Sequence, residues 1–90
     1  MDRAILDQEA AMAISIARRM RPPMKAFARA MQHELGWSSL SQRAVYSWER
    51  GEARVPAVAL LAAARVSAQS VDDLLARVHR LQAIGLRPGE

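Results

Sequence analysis

The side chains suited to the most specific chemistry in this 90-residue chain stand together near its middle. Gln42 and Arg43 follow Ser41 at the start of a short helical pattern, and Tyr46 and Ser47 lie one turn further on. A glutamine amide can form two hydrogen bonds with the edge of adenine, and an arginine guanidinium can donate two to guanine. A tyrosine here can contact a thymine methyl group or a phosphate. The pattern therefore indicates recognition by hydrogen bonding, and an ordinary solvated helix face is the alternative interpretation.

Basic side chains are concentrated in the same part of the chain. The net charge is +4, and residues 18–65 hold nine bases against three acids. A polyanion-binding site requires a local excess of this kind, although a generic solubilising surface explains it equally well. Contacts to phosphate supply affinity and register without reading a base sequence. The residues that we predict to make such contacts are Lys25, Arg29, Ser41, Arg50 and Arg54.

Residues for catalysis or metal binding are scarce in the sequence. There is no cysteine, and the two histidines, His33 and His79, lie far apart without a partner motif. We find no HExxH, GxSxG or glycine-rich phosphate loop, and therefore expect no enzyme activity, no metal site and no cofactor. No uncharged apolar run reaches the roughly 18 residues of a membrane span, and the first residues lack the features of a signal peptide. The expected location is the cytoplasm.

Proline, glycine and serine divide the chain into five helical patterns. Apolar residues recur every three or four positions within each pattern, and no alternating run predicts a strand. The predicted helices cover about residues 2–21, 23–35, 42–50, 56–66 and 70–84. In the fourth of them, Val58, Leu61 and Ala62 are expected to pack inward, with Leu60 as a further candidate. We therefore predict a single all-α domain over residues 1–90, a compact five-helix bundle whose core includes Phe27, Met31, Val45, Trp48, Leu61 and Leu74.

The stretch LSQRAVYSWERG, residues 40–51, resembles the recognition helix of the Cro/repressor (XRE-like) helix-turn-helix family. It has the family's order of a small capping residue, two polar residues, a small and a β-branched residue, then two variable residues, an aromatic residue, an acid, a polar residue and glycine. The resemblance covers about residues 14–76 and implies a lambda-repressor-like fold. The sequence departs from the family in having a longer connection between helices two and three, as related bacterial regulators do. It also has Pro23-Met24 where the family often has a phosphate-binding glutamine.

The function that this resemblance implies is sequence-specific binding of double-stranded DNA by a small, nucleoid-associated transcriptional regulator. The third helix, about residues 41–50, would enter the major groove and read bases through Gln42, Arg43, Tyr46 and Ser47. The resemblance also implies that Glu49 pairs with a base on the first helix, either Arg18 or Arg19, and a plain exposed glutamate is the alternative interpretation. The alternative function is a protein–protein adaptor, or an antitoxin-type module with a protein partner, built on the same helical fold.

A homodimer is expected because one recognition helix reads only a few base pairs, and paired helices can read successive faces of the major groove. The last helix carries an apolar stripe that we predict to form the dimer interface: Val71, Leu74, Val78 and Leu81. The first helix is the rival, through Ile5, Ala13 and Ile16. The remaining interpretation is that both stripes complete the core of the monomer.

Overall fold

The computed structural model describes residues 6–85, which form five α-helices and no strand. Helix α1 spans Asp7–Met20, α2 spans Met24–Leu35, α3 spans Gln42–Glu49, α4 spans Ala57–Val66 and α5 spans Val71–Ala83. The predicted all-α fold with five helices is confirmed. The first predicted helix begins later than expected, because Leu6 is an extended N-cap and α1 starts at Asp7. The predicted residues before Leu6 lie outside the described residues. None of the helices between residues 6 and 85 has both the length and the apolar character needed to cross a membrane.

Local sequence signals account for most of the helix ends. The hydroxyl of Ser41 accepts a hydrogen bond from the Ala44 backbone N–H at 3.0 Å, and that of Ser70 accepts one from Asp73 at the same distance. Each serine therefore satisfies an N–H that has no partner within the first helical turn. Gly36 ends α2 with φ of +68°, in the left-handed region that side chains with a Cβ disfavour.

Two helices each pack against three others: α4 against α1, α2 and α5, and α1 against α3, α4 and α5. The residues of α1 from Glu9 to Ala17 are buried without interruption. The Glu9 carboxylate accepts a hydrogen bond from the Leu6 backbone N–H and contacts His79 of α5, so the buried acid has polar partners. Five of the six predicted core residues are buried, namely Phe27, Met31, Val45, Trp48 and Leu74.

The prediction for α4 is wrong for two of its large side chains. Val58 and Leu61 are each 53% exposed, and the helix buries Leu60 together with four alanines instead. Every residue of this helix except Arg65 is apolar, so the periodicity of its sequence does not distinguish the inner face from the outer one. The small alanines face α1 and α2 because small side chains let helices pack closely, and the larger Val58 and Leu61 point outward.

The predicted dimer interface on α5 is also wrong for its two central residues. Leu74 and Val78 have no exposed surface and belong to the single core of one chain. Val71 and Leu81 are partly buried and pack against the same core. On the rival helix, Ala13 and Ile16 are buried too, and Ile5 lies outside the described residues. The physical reason is that α1 crosses α5 and covers the stripe, which leaves Leu74 and Val78 unavailable to a partner.

Candidate nucleic-acid interface

Helix α3 presents a polar face to solvent and an apolar face to the core. Gln42 and Arg43 are exposed in its first turn, directly after the Ser41 cap. Val45 and Trp48 are buried on the opposite side, against α1 and α2. Because residues three apart lie on the same face of a helix, the two buried side chains set the rotation of α3 about its axis. The first-turn polar side chains therefore have one defined outward direction.

Glu49 attaches the end of α3 to the middle of α1. Its carboxylate is only 7% exposed and accepts a hydrogen bond from the Ser15 hydroxyl at 2.9 Å. The single N–H of the Arg18 Nε is shared between the two oxygens of Glu49, at 2.9 Å and 2.8 Å. Of the two candidate partners, Arg18 is the one that pairs with Glu49, whereas Arg19 is exposed. We call this set of contacts the Glu49 clasp.

The clasp favours the charged form of Arg18. The hydrogen bonding to Glu49 raises the pKa of the Arg18 guanidinium above its usual value, against the opposing effect of partial burial, and the negative charge of Glu49 adds to the increase. Like any arginine, Arg18 is charged at every pH at which the protein can be handled. A fixed positive charge is thus held where α1 meets α3.

Tyr46 lies between two arginines on the exposed side of α3. The guanidinium carbons of Arg18 and Arg50 are each 5.9 Å from the centre of its ring. This distance is within the range of a cation–π interaction, which restricts the ring and holds both charges beside it. The contact between Arg50 and Tyr46 follows from the sequence, since the two residues are four positions apart and lie on one helix face. The contact between Arg18 and Tyr46 does not follow from it, because it depends on how α1 and α3 pack.

Two of the predicted phosphate-binding arginines are already paired with acids on the surface. Arg50 contacts Glu52 at 3.3 Å, and Arg54 contacts Asp7 of α1 at 3.4 Å. All four side chains are more than half exposed, so these ion pairs are weak and can exchange for another anion. The two arginines lie at or just beyond the C-terminal end of α3, beside a shallow cleft of about 410 Å³ between α1 and the α3–α4 loop.

The other predicted phosphate-binding residues are accessible. Lys25 and Arg29 are exposed on α2, four residues apart and so on one face, and neither forms an ion pair with another residue between 6 and 85. Ser41 is exposed as well, and its oxygen is engaged by the cap described above. Ser47 is half-buried, and its backbone carbonyl accepts hydrogen bonds from the N–H groups of Glu52 and Ala53.

The long connection between α2 and α3 is held by contacts of two side chains, those of Gln32 and Trp37. The Gln32 amide donates to the Ser38 carbonyl and accepts from the Leu40 backbone N–H, both at 3.2 Å. The Trp37 ring meets the Trp48 ring edge-on, with centroids 6.3 Å apart. The Gln32 side chain thus supplies hydrogen-bond partners to two backbone groups that lie outside regular secondary structure. The aromatic contact attaches the connection to α3.

No group of three or more histidine or acidic side chains that could hold a metal ion occurs within the described part of the chain. Comparison of the chain with family models, with curated proteins and with solved structures finds no match.

Proposed function

We propose that this protein binds double-stranded DNA in a sequence-specific manner as a small transcriptional regulator of the Cro/repressor (XRE-like) type. The observation that carries the proposal is the exposed first turn of α3. Gln42 and Arg43 project from a helix whose orientation is set by two buried side chains and by the Glu49 clasp. An α-helix fits the major groove, and donors and acceptors at its start are those that reach base edges.

The charges around α3 support the same function. Arg18 and Arg50 flank the Tyr46 ring, and the exposed Arg54 extends the positive surface beyond the end of the helix. Phosphates of the backbone can replace the surface acids that now pair with Arg50 and Arg54, because exposed ion pairs of this kind contribute little free energy. We assign phosphate contacts to Lys25, Arg29, Ser41, Arg50 and Arg54, and base contacts to Gln42, Arg43, Tyr46 and Ser47.

Selection from a pool of random DNA duplexes tests the proposal, because it reports both binding and the preferred site. With the selected duplex, Arg43→Ala is expected to weaken binding by about 1–3 kcal/mol and to relax the preference at one or two base pairs. Arg77→Ala, which removes an exposed arginine from α5, is the matched control and is expected to bind as the parent does. Equal binding by the parent and by Arg43→Ala would contradict the role of α3.

Phosphate contacts give a different signature from base contacts. Lys25→Ala and Arg54→Ala are expected to weaken binding to all duplexes alike and to lower the slope of log affinity against log salt by about 1. A change of preferred sequence in either variant would show that the residue reads bases instead. In a cell, a protein with this activity would be found on the nucleoid.

The second candidate function is a protein–protein adaptor or antitoxin-type module. The observation that favours it is a group of large apolar side chains exposed on α4 and on the α2–α3 connection. Salt-dependent affinity for duplex DNA supports the regulator, whereas a stable complex with another protein and no DNA affinity supports the adaptor.

A further inference from the structure

Three large apolar side chains line one groove on the outside of the bundle. Trp37 is 38% exposed and Val58 and Leu61 are each 53% exposed, and the groove between them has a volume of about 260 Å³. Six large hydrophobic side chains are exposed among residues 6–85, so half of them share this one place. We call Trp37, Val58 and Leu61 the apolar patch. Clustering of this kind is typical of surfaces that contact another protein.

The charges at the edge of the patch are balanced. Glu34 and Arg65 line the same groove, and their side chains meet at 3.7 Å with the arginine 75% exposed. The chain as a whole carries +4, so two copies repel each other on average. A surface with one acid, one base and three apolar side chains is one where that repulsion is small. It is also complementary to itself, because a two-fold axis can bring the acid of each copy to the base of the other.

The patch leaves the polar face of α3 open. Trp37 touches Trp48, which lies on the buried side of α3, whereas Gln42 and Arg43 are exposed on the other side. A partner on the patch therefore does not cover the side chains to which we assign base contacts. The contact between the two tryptophans also connects the patch directly to α3.

We infer that the apolar patch is where a second copy of this chain docks, through a two-fold contact in which Glu34 of each copy faces Arg65 of the other. This inference rests on the proposed function and on the homodimer expected from the sequence, and it moves the dimer interface from α5 to the apolar patch. The groove is small beside a permanent interface, so the dimer forms weakly in solution and is stabilised when both copies bind one DNA site.

Sedimentation equilibrium of the full chain without DNA, from micromolar to near-millimolar concentration, measures the association. Leu61→Glu is expected to weaken the association at least about tenfold. The parent buries the half-exposed leucine in the dimer, and the variant loses that burial. Ile84→Glu is the matched control, because Ile84 is 67% exposed at the end of α5 and lies outside the patch. Circular dichroism establishes that both variants keep the parent's helix content. A parent that stays monomeric, or an equal loss in both variants, would overturn the inference.

A charge exchange between two variants tests the orientation. Glu34→Arg makes arginines of the two copies face each other across the contact, and Arg65→Glu makes glutamates face each other, so each variant alone is expected to associate less than the parent. In an equimolar mixture the arginines of one variant face the glutamates of the other, and association is expected to recover. An intramolecular pair cannot explain recovery in the mixture, and both variants remain positively charged overall. A mixture that associates no better than its components would refute the contact.

DNA binding by the parent separates this inference from the proposed function. A parent that binds a selected duplex but stays monomeric, with a site lacking two-fold symmetry, overturns the interface and leaves DNA recognition by α3 intact. A parent that dimerises, with the expected losses in the patch variants, but has no affinity for duplex DNA supports the interface and rejects the regulator. In both cases the two measurements use the same 90-residue chain.

Discussion

Replacing Glu49 with alanine is expected to cost about 2 kcal/mol of folding free energy. The carboxylate is nearly buried and accepts hydrogen bonds from the Ser15 hydroxyl and from the charged guanidinium of Arg18, whose Nε–H is shared between both of its oxygens. Breaking a fully buried ion pair costs about 3–5 kcal/mol, because the remaining charge is stranded away from water. The Arg18 side chain is 22% exposed and can turn toward solvent, which reduces the loss to the value of about one charge-assisted hydrogen bond.

Thermal denaturation followed by circular dichroism measures this loss. For a domain of this size, about 2 kcal/mol corresponds to a fall of roughly 8–16 °C in the midpoint. Glu52→Ala is the matched control, since Glu52 is 59% exposed and pairs with Arg50 on the surface, and it is expected to change stability by less than about 0.5 kcal/mol.

A double-mutant cycle identifies the cause. Arg18→Ala and Glu49→Ala are expected to be non-additive by about 1 kcal/mol or more, because each removes the same interaction. If Glu49→Ala costs no more than Glu52→Ala, or if the coupling with Arg18 is near zero, the clasp does not stabilise the packing of α3 on α1.

Three further changes have expected outcomes. Val78→Glu is expected to abolish the helical circular dichroism signal, because it places an unpaired carboxylate in a fully buried position of the core; a folded variant would show that α5 is not held as described. Gly36→Ala is expected to lower stability by about 1 kcal/mol because of its φ of +68°, and Gly36→Asn to lower it less, in urea denaturation. Asp7→Asn is expected to leave stability within about 0.5 kcal/mol of the parent and to tighten DNA binding, since it removes the acid paired with Arg54; fluorescence anisotropy at low salt would contradict this if affinity fell.

Most of the helix boundaries, although not the start of α1 at Asp7, could be predicted from the sequence because the signals that set them are local. Ser41 and Ser70 cap the helices that follow them, and Gly36 stops the helix before it, each within a few residues of its hydrogen-bond partner. Local signals of this kind operate before any tertiary packing. The same reasoning explains why Gln42 and Arg43 could be assigned to an exposed first turn, since their position follows from the cap and from the buried Val45 and Trp48.

The partner of Glu49 could be predicted only as one of two neighbouring arginines. Arg18 and Arg19 differ by about 100° around the axis of α1, and the direction that faces α3 depends on how the two helices cross. The stacking of Arg18 on Tyr46 has the same origin, as does the pair between Arg54 and Asp7. Predicting interactions between distant parts of the chain requires the tertiary packing, and neither the spacing of residues nor the composition gives that packing.

The predictions for the faces of α4 and α5 fail for opposite reasons, and the two failures together explain the origin of the apolar patch. The stripe on α5 is real, but α1 covers it, so a pattern typical of an interface serves the core of one chain. Helix α4 is apolar on all sides, and the core of this small bundle accepts mainly its alanines. Its two larger side chains, Val58 and Leu61, are left outside with nothing in one chain to cover them. A helix with more apolar surface than its own core can bury has an excess face, and that excess can be removed from water only by a partner.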